Sequence, residues 1–229
     1  MSAVAFSAVL ALLLIALATP RLVSGIITAP FDETVRALGR GADIPVSDIR
    51  FARSSRVTAL GWYSSARYAA DLGALNFTLA RREPPGSAGR SELLDAAIAA
   101  DRLDVELAPT APFSWMRLAQ ANIEREGLRA DIARYLQMSY RTAPTDPRLV
   151  LPRLDLALAV WNDLPPDVQA ETAGQVRLAM RWFPGELVQR TRARYRLAEV
   201  REALREDPGA RARFNLLYFR ASRLPVSDT

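Results

Sequence analysis

The sequence predicts an all-α protein: a single N-terminal transmembrane helix, a connector, and then an α-solenoid of helical hairpins, about four of them. Three observations lead there. An uncharged apolar run opens the chain, apolar residues recur at helical spacing through most of the remainder, and a proline loop returns after one hairpin's length of sequence.

The opening run, Ala3 to Thr19, reads AVAFSAVLALLLIALAT and carries no charge. A spanning helix needs about 20 apolar residues, so this run alone is at the short end. Beyond Pro20 and Arg21 the apolar character resumes from Leu22 to Ala29. With Arg21 snorkelling toward headgroups, the span extends to about Ile27. The alternative is a cleaved signal, for which Ala16-Leu17-Ala18 supplies a small-x-small site. Against cleavage, no Lys or Arg precedes the run and apolar residues continue past that site. Residues 1–29 are therefore assigned as a membrane anchor (or signal). Arg21, Arg36 and Arg40 follow the helix and no Arg precedes it, which by the positive-inside rule favours a cytoplasmic body. Bacterial proteins built as one N-terminal hydrophobic helix and a helical body are commonly exported. The expected location is the bacterial inner membrane, single-pass with a periplasmic body, against the charge rule.

Residues 30–54 read as a connector, because Pro30, Gly39, Gly41 and Pro45 interrupt any long helix. Residues 55–229 read as the helical-repeat domain. Its first helix is expected from Val57 to Ala80, ended by Glu83-Pro84-Pro85-Gly86-Ser87, and its second from an N-cap at Ser91 to Leu107. Residues 108–112, APTAP, are answered 35 residues later by APTDP at 143–147. Arg117-Leu118-Ala119-Gln120-Ala121 is answered 36 residues later by Arg153-Leu154-Asp155-Leu156-Ala157, and a third proline loop falls at Phe183-Pro184-Gly185. Each interval holds two helices, 113–126 with 128–142 and 148–163 with 167–183. Pro152 implies a late start or a kink in the third of these.

Trp115, Leu118, Ala119, Gly127, Tyr135 and Pro144 stand close to the marker positions of the tetratricopeptide repeat, and residues 115–144 resemble that family. Asn122 and Asp131 depart from it, and the second unit keeps Leu154 but lacks the Trp. The resemblance implies stacked hairpins whose first helices line a concave surface. Candidate groove contacts are then Phe113, Met116, Gln120 and Ile123, followed by Pro152, Leu156 and Val160. Phe214 to Phe219 is an apolar segment of the chain itself that can fill such a groove. More loosely, an anchor followed by degenerate repeats looks like membrane-anchored accessory proteins of bacterial envelope polysaccharide systems.

Composition limits the chemistry. The 229 residues contain neither cysteine nor histidine, which removes disulfides, thiolate nucleophiles, Cys/His zinc sites and imidazole acid–base catalysis. No constellation of carboxylates or hydroxyls stands out, so a non-enzyme without cofactors or metal is expected. A net charge of +5 is modest, no nucleic-acid motif appears, and no nucleic-acid partner is expected. All basic residues are Arg, which fits codon bias in a GC-rich genome. On one continuous C-terminal helix, Ala193, Leu197, Val200 and Leu204 would share an apolar face. Arg190, Arg194, Arg201 and Arg205 would then form a stripe beside it, a candidate site for acidic polymer or anionic lipid or a set of structural ion pairs. Asp101, Asp104 and Glu106 read as surface charge, the Asn76-Phe77-Thr78 sequon as coincidence, and Trp62, Trp161 and Trp182 as core anchors. The expected partner is a protein, membrane-embedded or periplasmic.

Overall fold

An apolar stretch without polar competition for its backbone winds into helix, and α1 runs unbroken from Ala3 to Thr28. Pro20 lies inside it and removes one backbone donor without ending the helix. The computed structural model describes residues 3–127 and 130–221, and the described residues contain twelve α-helices and no strand. They divide into two compact units, Met1–Arg125 and Glu126–Thr229.

In the first unit, α1 is followed by α2 (Asp32–Gly39), α3 (Val46–Trp62), α4 (Ala66–Arg82), α5 (Ala88–Leu107) and α6 (Pro112–Glu126). Here the structure corrects three expectations. The expected connector is largely helical, because Gly41 (φ 81°) and Pro45 confine the interruption to a short loop. The helix expected over 57–80 is two helices, broken where Tyr63 and Ser65 are extended. Folding back at that point lets Ile49 and Ala52 of α3 pack on Leu75 and Leu79 of α4. α5 starts earlier than expected, at Ala88, because Ser87 rather than Ser91 accepts a hydrogen bond from the Arg90 amide at 3.1 Å.

Polar contacts fix the register of this layer. The Arg56 guanidinium donates to the Thr28 carbonyl at 3.1 Å, and Arg21 lies 5.0 Å from the centre of the Tyr63 ring. Arg56 meets Asp71 and Arg53 meets Asn76, while Arg117 meets Asp101 and Arg125 meets Asp95. In each pairing one residue number rises as the other falls, so α3 and α4, and α5 and α6, run antiparallel. Arg117 also reaches the Ala70 carbonyl, which sets the later part of α5 beside the start of α4. It follows that the α3–α4 corner (residues 63–65) and the α5–α6 corner (108–111) lie at the same end of the layer as Arg21. Ser24 and Thr28 are buried against the layer, whereas Leu12, Ile15 and Leu17 are more than 60% exposed. The helix therefore projects beyond its own unit from about Pro20 outward. Those 18 residues, 3–20, amount to about 27 Å of helix at 1.5 Å per residue.

The second unit holds α7 (Ala130–Thr142), α8 (Pro147–Ala159), α9 (Pro166–Trp182), α10 (Pro184–Arg194), α11 (Leu197–Ala203) and α12 (Pro208–Ala221). Asp146 caps α8 through the Arg148 amide at 3.0 Å, and Pro147 takes the first helical position, where a missing donor costs nothing. The helix continues through Pro152 rather than starting late. Its core gathers Leu154 and Leu158 from α8, Val176 and Met180 from α9, Leu187 from α10, Val200 from α11 and Phe214 from α12.

The expected single C-terminal helix is two. The Arg196 amide donates to the Thr191 carbonyl and the Tyr195 amide to the Arg192 carbonyl, with Tyr195 left-handed at φ 55°. This double bond pattern is a Schellman cap, which closes a helix. Glycine usually holds the left-handed position, and without one the sequence carries no sign of the break.

Candidate functional site

The proposed groove residues do not form one exposed stripe. Phe113, Met116, Gln120 and Ile123 stand on α6; Leu156 stands on α8 and Val160 just beyond its end. Met116 and Leu156 are buried at 2% and 7% exposure, so neither is open to a partner. Gln120, Ile123, Pro152 and Val160 are half-buried, and Phe113, at 38%, is the exposed member. Of the self-filling segment, Phe214 is wholly buried in the second unit's core while Leu216 and Phe219 remain exposed. Of the residues that carry the resemblance to the tetratricopeptide repeat, Trp115, Leu118 and Ala119 lie on α6, and Tyr135 lies on α7.

The Arg stripe is also divided, because the cap at Tyr195 rotates the residues beyond it. Arg190 and Arg194 belong to α10, Arg201 to α11, and Arg205 comes just after α11. Arg190 pairs with Asp155 at 2.9 Å, and Arg205 pairs with Glu202 at 2.7 Å. Arg201 donates to Asn215 at 2.7 Å and lies 5.8 Å from the Phe219 ring centre. Arg194 is exposed, and so is Ala193, which a single continuous helix would turn inward. Three of the four guanidiniums therefore engage groups of their own unit.

Two further expectations are overturned. Asp101 and Asp104 are not surface charge; they are 0% and 2% exposed, and only Glu106 of that cluster is exposed. Residues three apart share one helix face, so Asp101 and Asp104 turn inward together on α5 while Glu106 points elsewhere. Arg117 grips Asp101 with Nε 2.8 Å from Oδ2 and a second bond to Oδ1, and also donates to the Ala70 carbonyl at 2.9 Å. Burial pushes the Asp101 carboxyl up to about 6, against the opposing pull of Arg117. Asp71 and Asp104 are raised by the same desolvation. Gly73 makes the site possible, since a Cβ there would run into the Asp101 carboxylate. Trp62 is not a core anchor either; it is 53% exposed at the end of α3, and Trp182 is 37% exposed.

Buried guanidiniums recur in the second unit. Arg153 is fully buried, donates to Ser139 Oγ at 3.0 Å and to the Ala143 carbonyl at 2.8 Å, and lies 5.4 Å from the Tyr140 ring centre. Burial lowers it to about 10. Arg117 and Arg153 are the matching residues of the repeated pentapeptide, and each pins its helix to groups of the helix before it. The sequence holds this signal in the 36-residue offset, but nothing in it says that either Arg is inside.

Asn76 of the sequon is 1% exposed and accepts from Arg53 Nε at 2.5 Å, which leaves it closed to modification in the folded chain. Among the described residues no cluster of acidic side chains could hold a metal ion, and one helix, at the N-terminus, is long and apolar enough to cross a membrane. No family model matches the chain, and neither a curated protein nor a solved structure is significantly similar to it.

Proposed function

We propose that the chain is a membrane-tethered, non-catalytic scaffold that binds a protein partner in the bacterial cell envelope. The observation that carries this reading is the projecting part of α1: uncharged from Ala3 to Pro20, dominated by apolar residues, and exposed from Val9 to Thr19. A water-facing surface of that kind is costly, and a hydrocarbon layer about 30 Å thick accommodates it. The helical body is an α-solenoid of tetratricopeptide-like hairpins on the inner membrane, on its periplasmic side. Tethering raises its effective concentration toward partners at the same bilayer, and a link to polysaccharide assembly fits an anchored helical adaptor.

A second reading is a permanent accessory subunit of an inner-membrane complex. Phe51 and Val57, 60% and 49% exposed along the outer flank of α3, favour it, because apolar groups shown to water on a helix flank mark a contact. Cross-linking in membranes followed by gentle extraction separates the two. The scaffold reading expects a co-purifying protein held below equal stoichiometry and released by salt. Salt-resistant, equimolar recovery with one complex establishes the subunit instead, and no cross-linked protein contradicts both.

A further inference from the structure

We propose that the end of the first unit bearing Trp62, Leu107 and Phe113 is a membrane-contact surface, seated in the headgroup layer of the bilayer that α1 enters. This rests on α1 spanning that bilayer and adds a second attachment of the body to it. The register of the helix layer brings these three side chains together at one end. Trp62 closes α3, Leu107 closes α5, and Phe113 is the second residue of α6, so all three flank the corners level with Arg21. They are 53%, 46% and 38% exposed.

The opposite end of the layer is built differently. Its loops carry Asp43, Pro84 and Pro85, with Glu124 and Glu126 at the close of α6, and no large apolar side chain is exposed in those loops among the described residues. The other large apolar residues exposed beyond Pro20 in this unit are Leu22 and Ile26 on α1, and Phe51 and Val57 along the α3 flank. Among the described residues, the large apolar side chains exposed at the corners between the long helices α3 to α6 thus lie at the end from which α1 projects.

The occupant follows from that geometry. α1 rises from this same end, so the surface these residues present faces whatever α1 enters. The projecting 27 Å or so comes close to the thickness of a hydrocarbon core, which leaves the corners at headgroup depth. Indole and phenyl rings partition to that layer, where an apolar body meets lipid and a polar edge meets water. Arg21, exposed and stacked on Tyr63, stands where a lipid phosphate would lie, and Glu106 is the carboxylate beside Leu107. A layer held at two points keeps its helices upright on the membrane instead of swinging about α1.

The absence of native cysteine allows a direct test in the full chain. Single variants Leu13→Cys, Ser64→Cys, Thr110→Cys and Ala88→Cys are labelled with a small fluorophore and reconstituted into vesicles of phosphatidylcholine with a minority of phosphatidylglycerol. Lipids bearing a nitroxide on the headgroup are expected to quench the labels at 64 and 110, and acyl-chain nitroxides the label at 13. The label at 88, at the far end, is expected to lose no intensity with either. Adding Trp62→Ser, Leu107→Ser and Phe113→Ser together should abolish headgroup quenching at 64 while acyl-chain quenching at 13 persists. Quenching at 13 with none at 64 or 110 overturns the proposal and leaves the spanning helix standing. No acyl-chain quenching at 13 removes the spanning helix, and this proposal with it.

Discussion

Arg56, Arg117 and Arg153 explain how a chain without lysine builds its interior polar contacts. Each guanidinium reaches acceptors on two sides, as when Arg56 joins Thr28, Asp32 and Asp71, a geometry that a single ammonium does not reproduce. The absence of lysine is plain in the sequence, but its structural use is not, because burial is decided by neighbouring helices rather than by local composition. Asp101 has a consequence for pH dependence. Its folded value of about 6 lies above the unfolded value of 3.8, so between these limits the folded chain binds the extra proton. Stability from this group is therefore present at low pH and lost as pH rises through about 6. Asp101→Asn abolishes that titration. Relative to wild type, the variant is expected to fare better at pH 7 than at pH 4, by up to about 3 kcal/mol. Urea unfolding of both chains at the two pH values measures it, and a relative shift in the opposite direction contradicts the burial described for Asp101.

At the scale of elements, sequence periodicity locates the helices from Pro112 to Trp182 closely, because Pro and Gly punctuate them and Asp146 and Pro147 announce a helix start. It fails where the punctuation is silent. The α3–α4 corner has neither Pro nor Gly between Trp62 and Ala66, and the α10–α11 break uses Tyr195 where glycine is usual. Both depend on tertiary packing: Ile49 against Leu75 in one case, and in the other Val200 and Leu204 turned into the core. Tyr195 is 91% exposed, so its side chain adds little packing while its backbone conformation costs about 1–2 kcal/mol. Tyr195→Gly is expected to raise stability by about 0.5–1 kcal/mol, and Tyr195→Val to lower it. Thermal unfolding followed by far-ultraviolet circular dichroism reads both; destabilisation by glycine contradicts the cap.

For the whole molecule, the helical class and the apolar N-terminal helix are legible in the sequence, since both rest on patterns that extend over many residues. The candidate groove and Arg stripe are less so. They require knowing which faces are covered, and Met116 and Leu156 are buried while Arg190 pairs with Asp155. Nothing in the sequence marks Leu107, and Trp62 reads there as core. The antiparallel register brings both, with Phe113, to the end from which α1 leaves. Most depends on α1 residing in a bilayer. Alkaline carbonate extraction of membranes from a bacterial host producing this chain, followed by intact mass measurement, tests that directly. The predicted result is a protein of 25.2 kDa that stays with the membrane pellet. Release into the alkaline supernatant, or a mass reduced by loss of the N-terminal run, would contradict it.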